Sequence, residues 1–224
     1  MKNMVKIYKG LMPEEDRLHS LSLFQNFPDS ILSPSRCTDE PVYQLREYVP
    51  LLAVKQIYKL HKDIIPNIIQ DFELEKDGIT LVHPGYIEGN EFLTVDKRVP
   101  GMSLPIHRDV PTGTYEKEFG LEGGMTSITL TGVFYWSDDF KGGEIKFTDE
   151  LLKNDLKDNS ILNYPFIYKP TAGDFIVFPS YLYHEILPIT EGDRYSTQYF
   201  FNRVTPYHVS EMPNYEVNYL RKED

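Results

Sequence analysis

The sequence predicts a mainly β fold with supporting helices, and three observations carry that prediction. Short runs rich in Val, Ile, Thr, Tyr and Phe recur between residues 79 and 202, bounded by Gly, Pro, Asn and Asp. Tyr and Phe number 16 and 13 in a chain of 224 residues, an aromatic supply that suits half-buried strands. Helical spacing of apolar residues is confined to the N-terminal third. Many strands at short intervals indicate a barrel or sandwich.

Taken in order, residues 46–62 place Tyr48, Leu51, Leu52, Val54, Ile57 and Tyr58 at roughly helical spacing, with Pro50 in the first turn. A second short helix is expected over 64–72, with Pro66 near its start. Strands are expected over 79–82, 91–99, 127–136, 144–147, 166–169, 174–178, 183–188 and 195–202. Two stretches interrupt them: a glycine-rich loop over 111–124 and a polar segment over 149–165. Long loops in a compact domain are often functional, and the first leaves the chain just after Asp109, which suits a lid. The expected organisation is one domain over 1–224. It comprises a helical or mixed region at 1–77, a β core at 78–204 and a tail at 205–224.

Composition narrows the function. The formal net charge is −11 and the pI is near 5.0, which disfavours a general nucleic-acid binder. Cys37 is the one cysteine, so no intrachain disulfide forms and a reducing, cytoplasmic setting is expected. Residues 1–10 lack an apolar run of signal-peptide length. No apolar stretch approaches the ~18 residues that a membrane helix needs, so no membrane span is expected.

The chemistry is concentrated in a few residues. His107 and Asp109 form His-Arg-Asp. Residues i and i+2 of an extended strand share a side, so an imidazole and a carboxylate converge. His184 follows much later, between two strand candidates. Two histidines and one carboxylate make the facial triad that leaves open positions on non-haem Fe(II). His19, His61, His83 and His208 have no such context and read as structural or exposed. Ten residues after His184 stand Arg194 and Ser196, again at i, i+2 spacing. The planar guanidinium fork matches a carboxylate, and a nearby hydroxyl adds a hydrogen bond.

In these motifs the sequence resembles the Fe(II)- and 2-oxoglutarate-dependent oxygenase superfamily. The resemblance runs from about Glu91 to Arg203. It takes in Arg98 through Asp109, Thr126 through Trp136, the Gly142-Gly143-Glu144 strand and Lys169 through Pro179. It ends on His184 and on Glu191 through Ser196. The Gly-Gly-Glu and Pro-x-x-Gly-Asp strands are similar to the prolyl 4-hydroxylase branch. That branch usually carries Lys at the position of Arg194 and often Tyr at that of Val99.

The resemblance implies a double-stranded β-helix, or jelly roll of cupin type, backed by N-terminal helices. It implies Fe(II) on His107, Asp109 and His184, and the distal carboxylate of 2-oxoglutarate on Arg194 and Ser196. Ascorbate is a candidate reductant. The implied activity is a dioxygenase that hydroxylates an unactivated C–H with O2, releasing succinate and CO2. A prolyl residue in a peptide, an amino acid or another small molecule is the expected substrate. Asp109 favours hydroxylation over halogenation, because related halogenases carry a small residue there. Two other readings remain. A nucleic-acid demethylase usually has a second arginine six residues after the first, where this chain has Phe200. A non-catalytic cupin-like binding protein has no need of Arg194 with Ser196.

Overall fold

The computed structural model describes residues 4–27, 33–34, 43–45, 51–73, 79–82, 86–87, 90–91, 95–109, 128–148, 166–180 and 182–203. Strand β1 is Lys6–Tyr8, and helices α1 and α2 are Glu14–Gln25 and Leu51–Asp71. Between the helices lie β2 (Ser33–Pro34) and β3 (Tyr43–Leu45). After them come β4 (Ile79–Val82), β5 (Tyr86–Ile87), β6 (Asn90–Glu91), β7 (Val95–Arg98) and β8 (Leu104–His107). The remaining strands are β9 (Ile128–Tyr135), β10 (Lys141–Gly142), β11 (Ile145–Thr148), β12 (Phe166–Tyr168) and β13 (Phe175–Pro179). Last come β14 (Tyr183–Ile186), β15 (Ile189–Glu191) and β16 (Arg194–Arg203).

Two antiparallel sheets make the jelly roll. The larger has the order β1-β13-β9-β16-β7-β3-β2, with β4 also paired to β16; the smaller has the order β12-β11-β14-β8. Side chains alternate across each strand, which sorts β16 into two sets. Tyr195, Tyr199 and Phe201 face the helices, and with Leu130, Phe134, Trp136, Phe175 and Val177 they bury the apolar side of α1 and α2. The opposite face looks into the barrel, where Val133, Tyr135, Ile176 and Phe178 meet Leu104, Ile145, Phe147 and Ile186 of the smaller sheet.

The helices follow their buried positions. In α1, Arg17, Ser20, Leu21 and Phe24 are buried at i, i+3, i+4, i+7 spacing. The Arg17 guanidinium pairs with Glu14 and donates to the carbonyl of Trp136, tying α1 to the end of β9. The sequence reading missed α1 and β1. It also divided α2 in two at Pro66, but the helix runs unbroken through that residue. Pro66 is exposed, while Ala53, Ile57, Leu60, Ile64 and Ile68 are buried. Packing of one continuous apolar stripe outweighs the lost backbone hydrogen bond. The loops expected over 111–124 and 149–165, the lid reading with them, and the tail lie outside the described residues, as do Pro50 and Cys37. No described helix is long and apolar enough to cross a membrane.

One core position has no room to grow. A Cβ on Gly132, in the middle of β9, would lie 2.6 Å from the Phe175 ring and 3.0 Å from that of Phe201. Gly132→Ala is expected to lower stability by about 1–3 kcal/mol, the usual cost of overpacking a core. The midpoint of urea unfolding would measure it, with an unchanged slope.

Candidate metal centre and carboxylate pocket

Strand pairing builds the metal centre. β14 lies between β11 and β8, and its register sets His184 directly opposite His107. The two imidazole centroids are 4.2 Å apart. β8 ends at His107, so Asp109 sits just past the strand rather than within it. Its position is nonetheless fixed, because its N–H donates to the Ser180 carbonyl at 3.0 Å. The carboxylate then faces both rings, with Oδ1 3.5 Å from His107 Nε2 and Oδ2 3.7 Å from His184 Nε2. One ligand atom from each of the three residues lies within 4.8 Å of the others.

The imidazole tautomers follow from their partners. His107 Nδ1 lies 2.8 Å from the Pro105 carbonyl, and His184 Nδ1 lies 3.0 Å from the Leu182 carbonyl. A carbonyl only accepts, so both Nδ1 atoms carry the proton, and each Nε2 presents a lone pair to the centre. Burial pushes the His184 pKa down to about 4, against the pull of the Asp109 charge. At neutral pH that ring is uncharged, the form that binds metal. Burial raises the Asp109 pKa, but the charge that His184 and His107 carry when protonated, with the Thr131 hydroxyl, holds it below the usual carboxylate range. The donor set of two neutral imidazoles and one carboxylate fits a divalent first-row metal with open coordination positions.

A second polar cluster lies on the inner face of the larger sheet. Arg194 and Ser196 are both buried and share that face of β16. The Arg194 guanidinium lies over the Tyr135 ring at 4.9 Å and reaches the Gly143 carbonyl at 3.4 Å. Among the described residues, its Nε and the Tyr135 hydroxyl are buried without a hydrogen-bond partner. Burial raises the Tyr135 pKa to about 12, so its hydroxyl remains a donor. A buried cation with an unmet donor, beside a second unmet donor, is an anion site in its chemistry. The two consecutive glycines shape it: Gly142 and Gly143 have φ of 76° and 69°. A Cβ on Gly142 would strike the Pro188 carbonyl at 2.2 Å.

All five residues singled out in the sequence thus lie in two buried or half-buried clusters, His107 with Asp109 and His184, and Arg194 with Ser196. Sequence reasoning did not single out Tyr135 or Arg98; Arg98 is buried, lies opposite Arg194 on β7 and faces Asp96 at 3.9 Å. Alternation along β7 and β9 could have placed both on the inner face. It also missed Thr131 and Ser180, whose hydroxyls lie behind Asp109. Of the other histidines, His19 is exposed as expected; the side chains of His61, His83 and His208 lie outside the described residues.

Comparison with known proteins bears on the family and the fold. Residues 94–202 match the family model of the 2OG-Fe(II) oxygenase superfamily. No curated protein sequence matches the chain. Among solved structures, a 2OG-Fe(II) oxygenase family oxidoreductase from Burkholderia pseudomallei superposes with a TM-score of 0.60 at 12% identity, over 89% of this chain and 85% of that one. A Pseudomonas putida prolyl-4-hydroxylase gives 0.59 at 16% identity, over 90% and 94%. A Trichoplax adhaerens prolyl hydroxylase, solved with a hypoxia inducible factor peptide fragment, gives 0.59 at 14%, over 90% and 84%. At these identities the likeness is one of fold.

The unmet Tyr135 hydroxyl yields a prediction for the protein without ligand. Tyr135→Phe removes a buried donor that has no partner among the described residues, so the ligand-free protein is expected to gain up to ~1 kcal/mol, or at least to lose nothing. Thermal unfolding without added metal or 2-oxoglutarate would test this. A clear loss of stability would mean that the hydroxyl has a structural partner.

Proposed function

We propose, from the premise that this chain belongs to the 2OG-Fe(II) oxygenase superfamily, that His107, Asp109 and His184 hold its iron and that Arg194 and Ser196 bind the distal carboxylate of 2-oxoglutarate. The activity is that of a dioxygenase, and its cofactors are Fe(II) and 2-oxoglutarate. The observation that carries the residue assignment is the convergence of two Nε2 atoms and one carboxylate within 4.8 Å. When bound, the metal and co-substrate supply an oxidative decarboxylation to succinate and CO2, coupled to insertion of oxygen from O2 into a substrate C–H.

The chain's own part is binding and orientation. The Pro105 and Leu182 carbonyls fix the imidazole tautomers. Arg194 neutralises the co-substrate carboxylate in an interior where an isolated charge is costly. Tyr135 adds its unmet hydroxyl to the same carboxylate. Phe147 and Phe178 pack against the His184 ring, holding it and excluding water from its sides.

The substrate proposed is a prolyl residue in a peptide first, with an amino acid or another small molecule as alternatives. The likeness in fold to prolyl hydroxylases, one of them solved with a peptide, supports that order. The whole chain is read as one oxygenase domain, since α1 and α2 pack on the barrel's larger sheet. A single cysteine supports a reducing, cytoplasmic setting.

Three measurements test this reading. His107→Ala or His184→Ala is expected to abolish the charge-transfer absorbance that anaerobic Fe(II) and 2-oxoglutarate give with the parent protein. An unchanged band in both variants would refute the ligand assignment. Arg194→Ala is expected to weaken 2-oxoglutarate binding by about 2–5 kcal/mol, the usual cost of truncating one partner of a buried charge pair, with metal affinity largely kept. Isothermal titration with 2-oxoglutarate would read it, and an unchanged affinity would remove Arg194 from the role. Mass spectrometry of proline-containing peptides and free amino acids should show a gain of one oxygen that requires 2-oxoglutarate. A gain confined to a free amino acid would overturn the peptide reading.

A further inference from the structure

The structure assigns to Thr131 and Ser180 the role of positioning residues that select Oδ1 of Asp109 as the metal-binding oxygen. This inference rests on the proposed metal assignment. The Thr131 Oγ1 to Asp109 Oδ2 distance is 2.7 Å, and the Thr131 Oγ1 to Ser180 Oγ distance is 3.0 Å. The directions of both bonds follow from chemistry. An ionised carboxylate only accepts, so the one Thr131 proton points at Oδ2. Thr131 can then meet Ser180 only as an acceptor, so the Ser180 hydroxyl donates to it.

The Ser180 carbonyl meanwhile accepts the Asp109 N–H at 3.0 Å. The result is a closed ring: Ser180 hydroxyl to Thr131, Thr131 to the Asp109 side chain, and the Asp109 backbone back to Ser180. Both hydroxyl residues are buried; Thr131 is on β9 and Ser180 directly follows the end of its partner strand β13, where Phe178 lies opposite Thr131 and Pro179 opposite Leu130. Their positions are therefore set by the larger sheet, whereas Asp109 follows a strand of the smaller one.

The ring thus fixes the carboxylate across the gap between the two sheets, at a residue that no longer has strand pairing of its own. Each carboxylate oxygen lies near one imidazole, Oδ1 by His107 Nε2 and Oδ2 by His184 Nε2; because Oδ2 accepts the Thr131 proton, Oδ1 is the oxygen left to the metal. Without the hydroxyl, the carboxylate could rotate about its last torsion and present either oxygen, and Oδ2 would lose the Thr131 donor.

The test uses the full chain with anaerobic Fe(II), titrated in saturating 2-oxoglutarate and read by the charge-transfer band. Thr131→Val keeps the shape and deletes the donor; it is expected to weaken the apparent Fe(II) affinity by roughly 10–100-fold, the usual effect of losing a group that orients a ligand. Thr131→Ser keeps the donor and is expected to restore most of that affinity. Ser180→Ala keeps the backbone carbonyl and removes only the outer link, so a smaller loss is expected. Parental affinity in Thr131→Val would overturn the inference. An equal loss in Thr131→Val and Thr131→Ser would do the same, because it would trace the effect to packing of the methyl group. Melting of the metal-free variants shows whether they fold. Should Thr131→Val fail to fold, Ser180→Ala decides, and parental affinity there overturns the role. A parent protein that gives no band at all would refute the metal assignment on which the inference stands, a result distinct from any of these.

Discussion

The antiparallel pairing of β14 with β8 is the constraint on which the rest depends. It sets His184 against His107 and so makes a two-imidazole centre from residues far apart in the chain. The pairing places demands on its surroundings. β14 must be an inner strand, and it is, with β11 on its other side. Neighbouring strands must supply side chains large enough to hold the ring, and Phe147 of β11 and Phe178 of β13 do so at 5.9 Å and 4.9 Å between centroids. A slip of one residue in either strand would turn one imidazole out of the barrel. The candidate metal centre is for that reason as strongly specified as the hydrophobic core.

Charge imposes a second constraint. Among the described residues, the buried charges beside the two candidate sites are Asp96, Arg98 and Arg194, with Asp109 at the barrel rim. Their formal charges cancel, but not in place. Asp96 lies beside Arg98, while Asp109 serves the imidazoles and Arg194 is left with a ring face and a weakly placed carbonyl. On the proposed reading, a dication would load at one end of this arrangement and a dianion at the other. Either alone would leave a net double charge in a poorly hydrated interior. Both together restore neutrality, which makes the binding of each favour the other, as linkage requires.

The fold was legible wherever period two was strong. β9, β11, β13, β14 and β16 lie within a residue or two of the runs from which they were read. β1 and α1 were not legible, for physical reasons. β1 is three residues long and gains its order from pairing with β13. α1 buries an arginine and a serine on its inner face, so its apolar stripe is too thin to register in the sequence. Pro66 was legible as a break and is not one, because its neighbours Ile64 and Ile68 are held in the core. In the site, the ligand types and their i, i+2 spacing could be read from the chain alone. Thr131 and Ser180 could not, since a hydroxyl in a strand carries no signal until the register shows which carboxylate it meets.

Strand alternation explains why stability and chemistry can share β16. Tyr195, Thr197, Tyr199 and Phe201 alternate with Arg194 and Ser196 along one strand. The first set is pressed against α1, α2 and their neighbours: Trp136 donates to Thr197 at 2.9 Å, and Tyr199 reaches the Ile57 carbonyl at 3.3 Å. Those contacts lie on the outer face, yet they fix the backbone that aims the inner one. A buried guanidinium with an unmet donor is a liability of a few kcal/mol, tolerable only on a strand whose other face is densely packed. The helices, packed on the outer face of β16, are therefore part of the site's construction. They supply the burial that lets the opposite face of β16 remain polar, desolvated and ready for an anion.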